Sequence, residues 1–425
     1  MGRDESTRLS RSRCGLLRVV AAATIVWAML AGSTTHAQVP FVPLLTVDRS
    51  LGPMEWLGPA DDGRWTFRPL SAKTGDSSSD VAVAHNEVVV WGNPAEPVAA
   101  SFVVLVDETV LAIDDFSSDA ETLSVATRLF GRRMFPLTQV RGIVFRSPAS
   151  TLRRDRLFDA VAHPADGDRD RLSLSGGDEL AGSVTSMDTN QIALETELGA
   201  TTKATLESVS LVFNPALADK VELPKERLIV GLRDGSRLVC RSVVPVGQSV
   251  TLEPALPGND AAKQPWMTTR TAFVFLQPLG GAVRYLSDVE PTGYRHVPYL
   301  LAQRPYALDR NLDGGRLRAG GKSFLKGIAM PSTSRLAFPL DGSTARFRAE
   351  IAVDDAAGLR GSVTFRVFVD AEERYRSEIV RGGDAPTPVN VDIAGGKQLS
   401  LVVDFAEYGD EQDHALWLNA RLQPK

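Results

Sequence analysis

DHALWLNARL, residues 413–422, alternates along its length. Ala415, Trp417, Asn419 and Arg421 form one set, and Leu416, Leu418, Ala420 and Leu422 the other. Successive side chains of a β-strand point to opposite faces, so this is strand patterning. The same ten residues hold a histidine, a tryptophan, an asparagine and an arginine, which also suit a sugar site. The stretch is therefore either a strand that closes a core or a working surface. As a closing strand it packs Leu416, Leu418 and Leu422 inward, and Trp417 lies on the other face or plugs the end. As a surface it offers Trp417 to a sugar, because a pyranose has an apolar C–H face that suits an aromatic ring.

The two-residue period continues upstream. EVVVW (87–91), SFVVLV (101–106), RGIVF (141–145), RLIVGL (227–232), SVTFRVFV (362–369) and LSLVVDF (399–405) are short apolar runs broken by Gly, Asp, Asn and Pro. Helical period is nearly absent. The expected fold class is all-β, built largely of antiparallel strands.

The middle of the chain repeats. TRLFGRRMFPLTQVRGIVFRSP (127–148) and TELGATTKATLESVSLVFNP (196–215) both run from a Thr through Leu-x-x-Val to an apolar strand, a Phe and a Pro. A third copy ends in TAFVFLQP (271–278). Each copy opens with a strand and a tight acidic turn: LVDETV (105–110), LSGGDELAGSV (174–184) and LRDGSRLV (232–239). Gly beside Asp is hairpin chemistry, since positive φ costs little there. The repeat length suits a barrel of about five strands. The expected organisation is a β-rich lead-in at 38–100, barrel-like repeats at 101–150, 165–216 and 225–280, and a sandwich at 282–425. The repeats resemble small Sm-like or SH3-like barrels in pattern.

At 425 residues the chain is too long for one ordinary core. Its formal net charge of −5 argues against a nucleic-acid scaffold, which needs a basic surface. Arg3, Arg8, Arg11, Arg13 and Arg18 precede the apolar run VVAAATIVWAMLAG (19–32) and the small-residue stretch ending at Ala37. That layout predicts a signal peptide over 1–37 with cleavage after Ala37. The expected location is the periplasm, cell envelope or exterior, with no membrane span after cleavage. Cys240 would then be the remaining cysteine, and its alternating surroundings predict a buried strand thiol. Neither an internal disulfide nor a cysteine-based zinc site is expected.

From residue 282 the text changes. Tyr285-Leu286-Ser287-Asp288, Lys326-Gly327-Ile328, Phe347 with Val353-Asp354-Asp355, Ser362-Val363 with Phe365, Val369-Asp370 and a late Trp417 follow in order. This order resembles the NPCBM domain, the carbohydrate-binding module named for glycosyl hydrolase family 98. The resemblance implies a galactose-binding-like jelly-roll β-sandwich that binds a polysaccharide or other glycan. Alternation independently asks for a two-sheet sandwich. The chain departs from the family's usual phrases at Ile328-Ala329-Met330-Pro331 and at Glu290-Pro291-Thr292. Those departures keep open a second reading, in which the sandwich has lost sugar binding and serves as a structural or protein-docking component of the envelope.

Candidate sugar contacts are Tyr294, His296, Tyr299 and Tyr306, clustered in a loop-like stretch, together with Trp417. Asp309, Asn311 and Asp313 have the spacing of the first half of a calcium loop, but Gly320 stands where the bidentate glutamate belongs. Calcium is the cofactor that spacing admits, with an Asx-rich turn as the alternative. GGRLRAGGKS (314–323) lacks the first glycine of a phosphate-binding loop. No Gly-x-Ser-x-Gly elbow occurs, and the five histidines show no i,i+4 pairing. The expectation is a binding protein without catalytic activity. A glycoside hydrolase would need two carboxylates held across a cleft.

Overall fold

Two-residue periodicity becomes antiparallel sheet throughout the described chain. The computed structural model describes residues 43–46, 50–60, 62–71, 79–97, 101–119, 121–258, 265–281, 283–299 and 303–424. The expected signal peptide lies outside them. The all-β class holds: one α-helix, Thr151–Ala162, occurs among the described residues.

Before the sandwich, the chain runs four times through one circuit. A first strand forms a hairpin with a long bent strand (split as Val110–Ile113 and Asp115–Ser118 in the second circuit), two more strands follow, and a short turn, 3-10 in the first three circuits, leads to a closing strand that pairs back on the first. In the opening copy Val88–Gly92 returns to Pro43–Thr46. In the next three, Val140–Val144 returns to Ser101–Leu105, Ser208–Val212 to Asp170–Leu174, and Phe273–Leu279 to Arg227–Leu232. The stretch expected as a lead-in thus makes the same circuit as the repeats. Leu-x-x-Val marks the 3-10 corner: Leu137–Gln139 precedes Val140, and Thr205–Glu207 precedes the strand holding Val209. The bent strands change partner midway. Glu179–Asp188 pairs with Asp170–Leu174 and then with Gln191–Thr196, with an irregularity between Val184 and Ser186. Such irregularities bend a strand and let a small sheet close.

The circuits share walls and core. Gly142 faces Val212 across two closing strands, and Gly92 faces Phe275 across the other two. A Cβ on Gly92 would lie 2.1 Å from the Val274 carbonyl oxygen, so glycine is required for that approach. Trp56 and Trp91 pack on Phe273 at ring separations of 5.0 and 5.4 Å. Cys240 is fully buried and burial pushes its thiol pKa up, as a core cysteine requires.

The helix was not legible as amphipathic, because two of its inward residues, Arg154 and Asp155, are charged. Ser150 caps it by accepting the Arg153 N–H at 3.5 Å. Phe158 and Val161 pack against the barrels, with Phe158 5.3 Å from the Phe102 ring. Its charged residues reach the sandwich. Arg318 donates from Nη2 to Glu96 at 2.9 Å and from Nη1 to Asp155 at 2.5 Å. Glu96 also accepts from Arg154 at 2.8 Å and from the Ser323 hydroxyl at 2.9 Å. Burial alone would raise the Glu96 pKa. The bonds and charges of Arg154 and Arg318 outweigh it and hold the carboxyl down at about 2. Tyr285 adds an apolar seam with Leu45, Val89 and Val283, and its hydroxyl donates to the Val89 carbonyl at 3.1 Å.

The sandwich has two antiparallel sheets. One orders Ala307–Leu308, Gly327–Pro331, His414–Pro424, Thr344–Val353 and Thr387–Asp392, with Arg284–Tyr285 also on His414–Pro424. The other orders Gly293–His296, Ser334–Pro339, Gln398–Phe405, Ser362–Val369 and Glu372–Arg376. Trp417 is fully buried between them, 5.0 Å from Phe365 and 6.0 Å from Phe347. This corrects the reading of Trp417 as a sugar contact, since its ring faces no solvent.

The expected faces of 413–422 are corrected too. Ala415, Trp417, Ala420 and Leu422 share the main core, while Leu416 and Leu418 lie in a second cluster under the hairpin of Leu317–Ala319 and Lys322–Phe324. A bulge causes the switch. Glu350 pairs with Leu418 but Arg348 pairs with Arg421, so two residues oppose one. Asn419 takes φ 47° at that point and donates from its amide to Glu350 at 3.2 Å. In urea unfolding, Asn419→Val should cost about 1–2 kcal/mol, because a β-branched residue resists positive φ. Asn419→Gly should cost less than half of that.

Candidate functional site

Register brings seven strand ends to one end of the sandwich. His296 pairs with Ser334, Ser334 with Val403, and Val363 with Phe405. In the other sheet Pro331 pairs with His414, and Val353 with Ala415. The connections after His296, Pro331, Val353 and Phe405 therefore gather there.

Hydrogen bonds fix these connections to each other. Asp413 accepts the Ser332 hydroxyl at 2.6 Å and the Ser362 N–H at 2.8 Å. The Ser362 hydroxyl donates to the Glu407 carbonyl at 2.7 Å and accepts its N–H at 2.8 Å. Gly361 lies so close to the Gln412 carbonyl that a Cβ would fall 2.2 Å from its oxygen. The loops at this end are held by a rigid frame, the usual arrangement for a binding surface.

The four predicted aromatic residues divide into scaffold and surface. Tyr294 and Tyr306 meet edge to face at 4.9 Å, and the Tyr294 hydroxyl donates to the Arg304 carbonyl at 2.6 Å. Burial raises the Tyr294 pKa to about 12. His296 is buried; its Nε2 bonds the Ser332 carbonyl at 3.1 Å and its Nδ1 accepts the Arg304 N–H at 3.0 Å. Both nitrogens are spent on backbone, so His296 positions the loop. Tyr299 is the exposed member, at 69%. Its N–H donates to Asp410 at 3.1 Å.

Residues absent from the sequence-based set join Tyr299. Phe405 is 46% exposed and meets the Tyr299 ring at 6.2 Å, inclined by 73°. Tyr408 is 77% exposed at φ 63°, and its neighbour Gly409 abuts the Tyr299 ring. Ion pairs between Arg360 and Glu411 at 3.0 Å and between Arg381 and Glu407 at 2.9 Å border these rings. Exposed rings ringed by charged hydrogen-bonding groups can stack a sugar face and bond its hydroxyls. Phe405 ends a strand and Tyr408 sits in a strongly polar run. A lone aromatic in such a run was the signal available in the sequence.

Beside them, Arg304 donates to His414 Nε2 at 2.8 Å, and His414 Nδ1 lies 3.7 Å from Asp313. Burial lowers the His414 pKa, reinforced by Arg304 and opposed by Asp313. The other candidate calcium oxygens have separate partners. Asp309 accepts from Lys326 at 2.7 Å and from the Gly327 N–H at 3.0 Å, while Asn311 Oδ1 accepts the N–H groups of Asp313 and Gly315. Among the described residues, no three or more His, Cys, Asp or Glu side chains group as metal ligands do.

The fold and this end define a β-sandwich binding module. Residues 282–423 are an NPCBM/NEW2 domain. Over 110 residues the chain is 28% identical to "Putative endo-alpha-N-acetylgalactosaminidase" of Renibacterium salmoninarum, covering 26% of this chain and 7% of the relative. Over 116 residues it is 33% identical to alpha-1,3-galactosidase B of Akkermansia muciniphila, covering 26% of this chain and 14% of the relative. The chain thus spans a small part of either curated relative. Among solved structures it is similar to CBM51 from Clostridium perfringens GH95 in complex with methyl-galactose. That match has 27% identity and a TM-score of 0.30, over 33% of this chain and 99% of the other.

Burial makes the frame sensitive to pH. The Asp413 carboxyl is pushed up from 3.8 to about 6 by burial, against the opposing bonds of Ser332 and Ser362. A carboxyl that titrates higher in the folded state destabilises the fold as it ionises, so stability falls as pH rises from about 4 through 6. Asp413→Asn removes this share. Its unfolding free energy should fall about 1 kcal/mol less than that of the wild type between those pH values.

Proposed function

We propose that the protein is an exported, non-catalytic glycan-binding protein whose contact surface is Tyr299, Phe405 and Tyr408. The observation that carries this reading is three exposed aromatic rings on the locked loop end of an NPCBM/NEW2 domain. A folded chain exposes such rings at a cost in apolar hydration, and a sugar's C–H face offsets it. Asp410, Glu411 and Arg360 lie within the same loops, where they supply acceptors and donors for hydroxyl groups. The signal-peptide pattern over 1–37 supports export, and among the described residues no helix is long and apolar enough to cross a membrane. The glycosidase activities in the relatives' names are not carried over, since those proteins are matched over small fractions of their length.

Glycan-array binding of the full chain, followed by calorimetric titration of the best ligand, tests this. Tyr299→Ala and Tyr408→Ala should each weaken binding about tenfold, the order of effect expected of an exposed stacking ring. Their melting temperatures should stay within about a degree of wild type, because neither ring is in a core. Binding unaltered in both variants, or no binding to any glycan, would exclude this surface.

A further inference from the structure

A second concave site lies where the barrels meet the sandwich. The cavity has a volume of about 390 Å³, within the range of roughly 300–1,000 Å³ typical of small-molecule pockets. Its wall is made by both parts of the chain. Arg227 and Arg237 come from the last barrel circuit, and Arg316 comes from the sandwich, just before Leu317–Ala319.

The wall's other charges are largely matched to one another. Asp155 is taken by Arg318, and Asp159 by Arg310 at 2.8 Å. Lys326 takes Asp309, Asp107 accepts from Thr109 twice, and Glu108 lies 3.5 Å from His163. The Arg237 guanidinium makes no hydrogen bond or ion pair with any described residue, and Glu108 and Asp155 act on it only at longer range. Arg316 makes one long ion pair, from Nε to Asp155 at 3.7 Å, which is beyond hydrogen-bond reach and leaves its Nη donors without an acceptor. Arg227 spends one donor on the Pro224 carbonyl at 3.4 Å.

A guanidinium has five donors in a rigid fork, and withdrawing it from water without a partner is costly. Two guanidinium groups facing one cavity, only one of them ion-paired, repel each other and increase that cost. Burial lowers the pKa of both, with Glu108 opposing at Arg237, and with Arg237 itself adding to the fall at Arg316, which reaches about 10. An oxyanion with two or more acceptor oxygens would pair with both forks at once.

We infer that this cavity binds an oxyanion, the carboxylate of an acidic sugar or a free sulfate or phosphate, between Arg237 and Arg316. The site is separate from the aromatic loop end and does not depend on it. Because its walls come from both parts of the chain, the bound anion ties the sandwich to the barrels.

The test is calorimetric titration of the full chain with sodium sulfate, sodium phosphate and sodium galacturonate, with galactose as the neutral control and sodium chloride at matched ionic strength. At least one oxyanion should bind above the chloride control, and galactose should not bind at this site. Tighter galacturonate binding assigns the site to an acidic sugar, and equal or tighter sulfate or phosphate binding assigns it to the free anion. Arg237→Met should weaken binding at least tenfold and raise the melting temperature of the ligand-free chain, since it removes an unpaired charge. Arg316→Met should weaken binding similarly, and Tyr299→Ala should leave it unchanged. The inference is overturned if wild type binds no oxyanion above chloride, which requires no variant to fold, or if both Met variants bind as wild type does.

Discussion

Arg318 sits between two carboxylates that reach it from distant parts of the chain, Glu96 and Asp155. Its guanidinium meets Glu96 through Nε and Nη2 and Asp155 through Nη1 and Nη2. Hydrophobic seams alone would let the two parts slide, because apolar contact has no preferred direction. A forked donor between two acceptors allows one arrangement. Replacing such a cluster with apolar residues can leave stability unchanged, whereas removing one member strands the others. The cluster's contribution is therefore orientation. It fixes which face of the sandwich meets the barrels and leaves the loop end bearing Tyr299 and Tyr408 open to solvent.

Much of the fold follows from local pattern, and its exceptions have physical causes. Alternation placed strands correctly in both the barrels and the sandwich, since a two-residue period survives any tertiary arrangement. It misassigned the faces of 413–422 because a bulge at Asn419 inserts one residue and exchanges the faces beyond it. Nothing in HALWLNARL announces a bulge, although Asn is a residue that tolerates positive φ. Leu-x-x-Val was visible as a repeat, but its meaning as a 3-10 corner is geometric. The helix Thr151–Ala162 escaped notice because Arg154 and Asp155 lie on its buried side, where an amphipathic pattern would show apolar residues.

The candidate site was legible to the extent that its residues lie close in sequence. Tyr294, His296, Tyr299 and Tyr306 fall in one stretch; the structure gathers Tyr294, His296 and Tyr306 around Arg304 and leaves Tyr299 exposed. Phe405 and Tyr408 lie about a hundred residues away and reach Tyr299 through strand register. The charges between the barrels and the sandwich were further out of reach. Glu96 and Arg318 are separated by 222 positions, and neither has a patterned neighbourhood. Asp309 and Asn311 show that neighbours in sequence can take separate partners: Asp309 accepts from Lys326 and the Gly327 N–H, and Asn311 from the N–H groups of Asp313 and Gly315.

The partly buried charge cluster at Arg318 joins barrels and sandwich into one cooperative body. Differential scanning calorimetry of the full chain, comparing wild type with Arg318→Met, tests it most directly. Wild type should show one transition, with a calorimetric enthalpy equal to the van't Hoff value, and the variant two resolved transitions. Two transitions in wild type, or one unchanged transition in the variant, would contradict it.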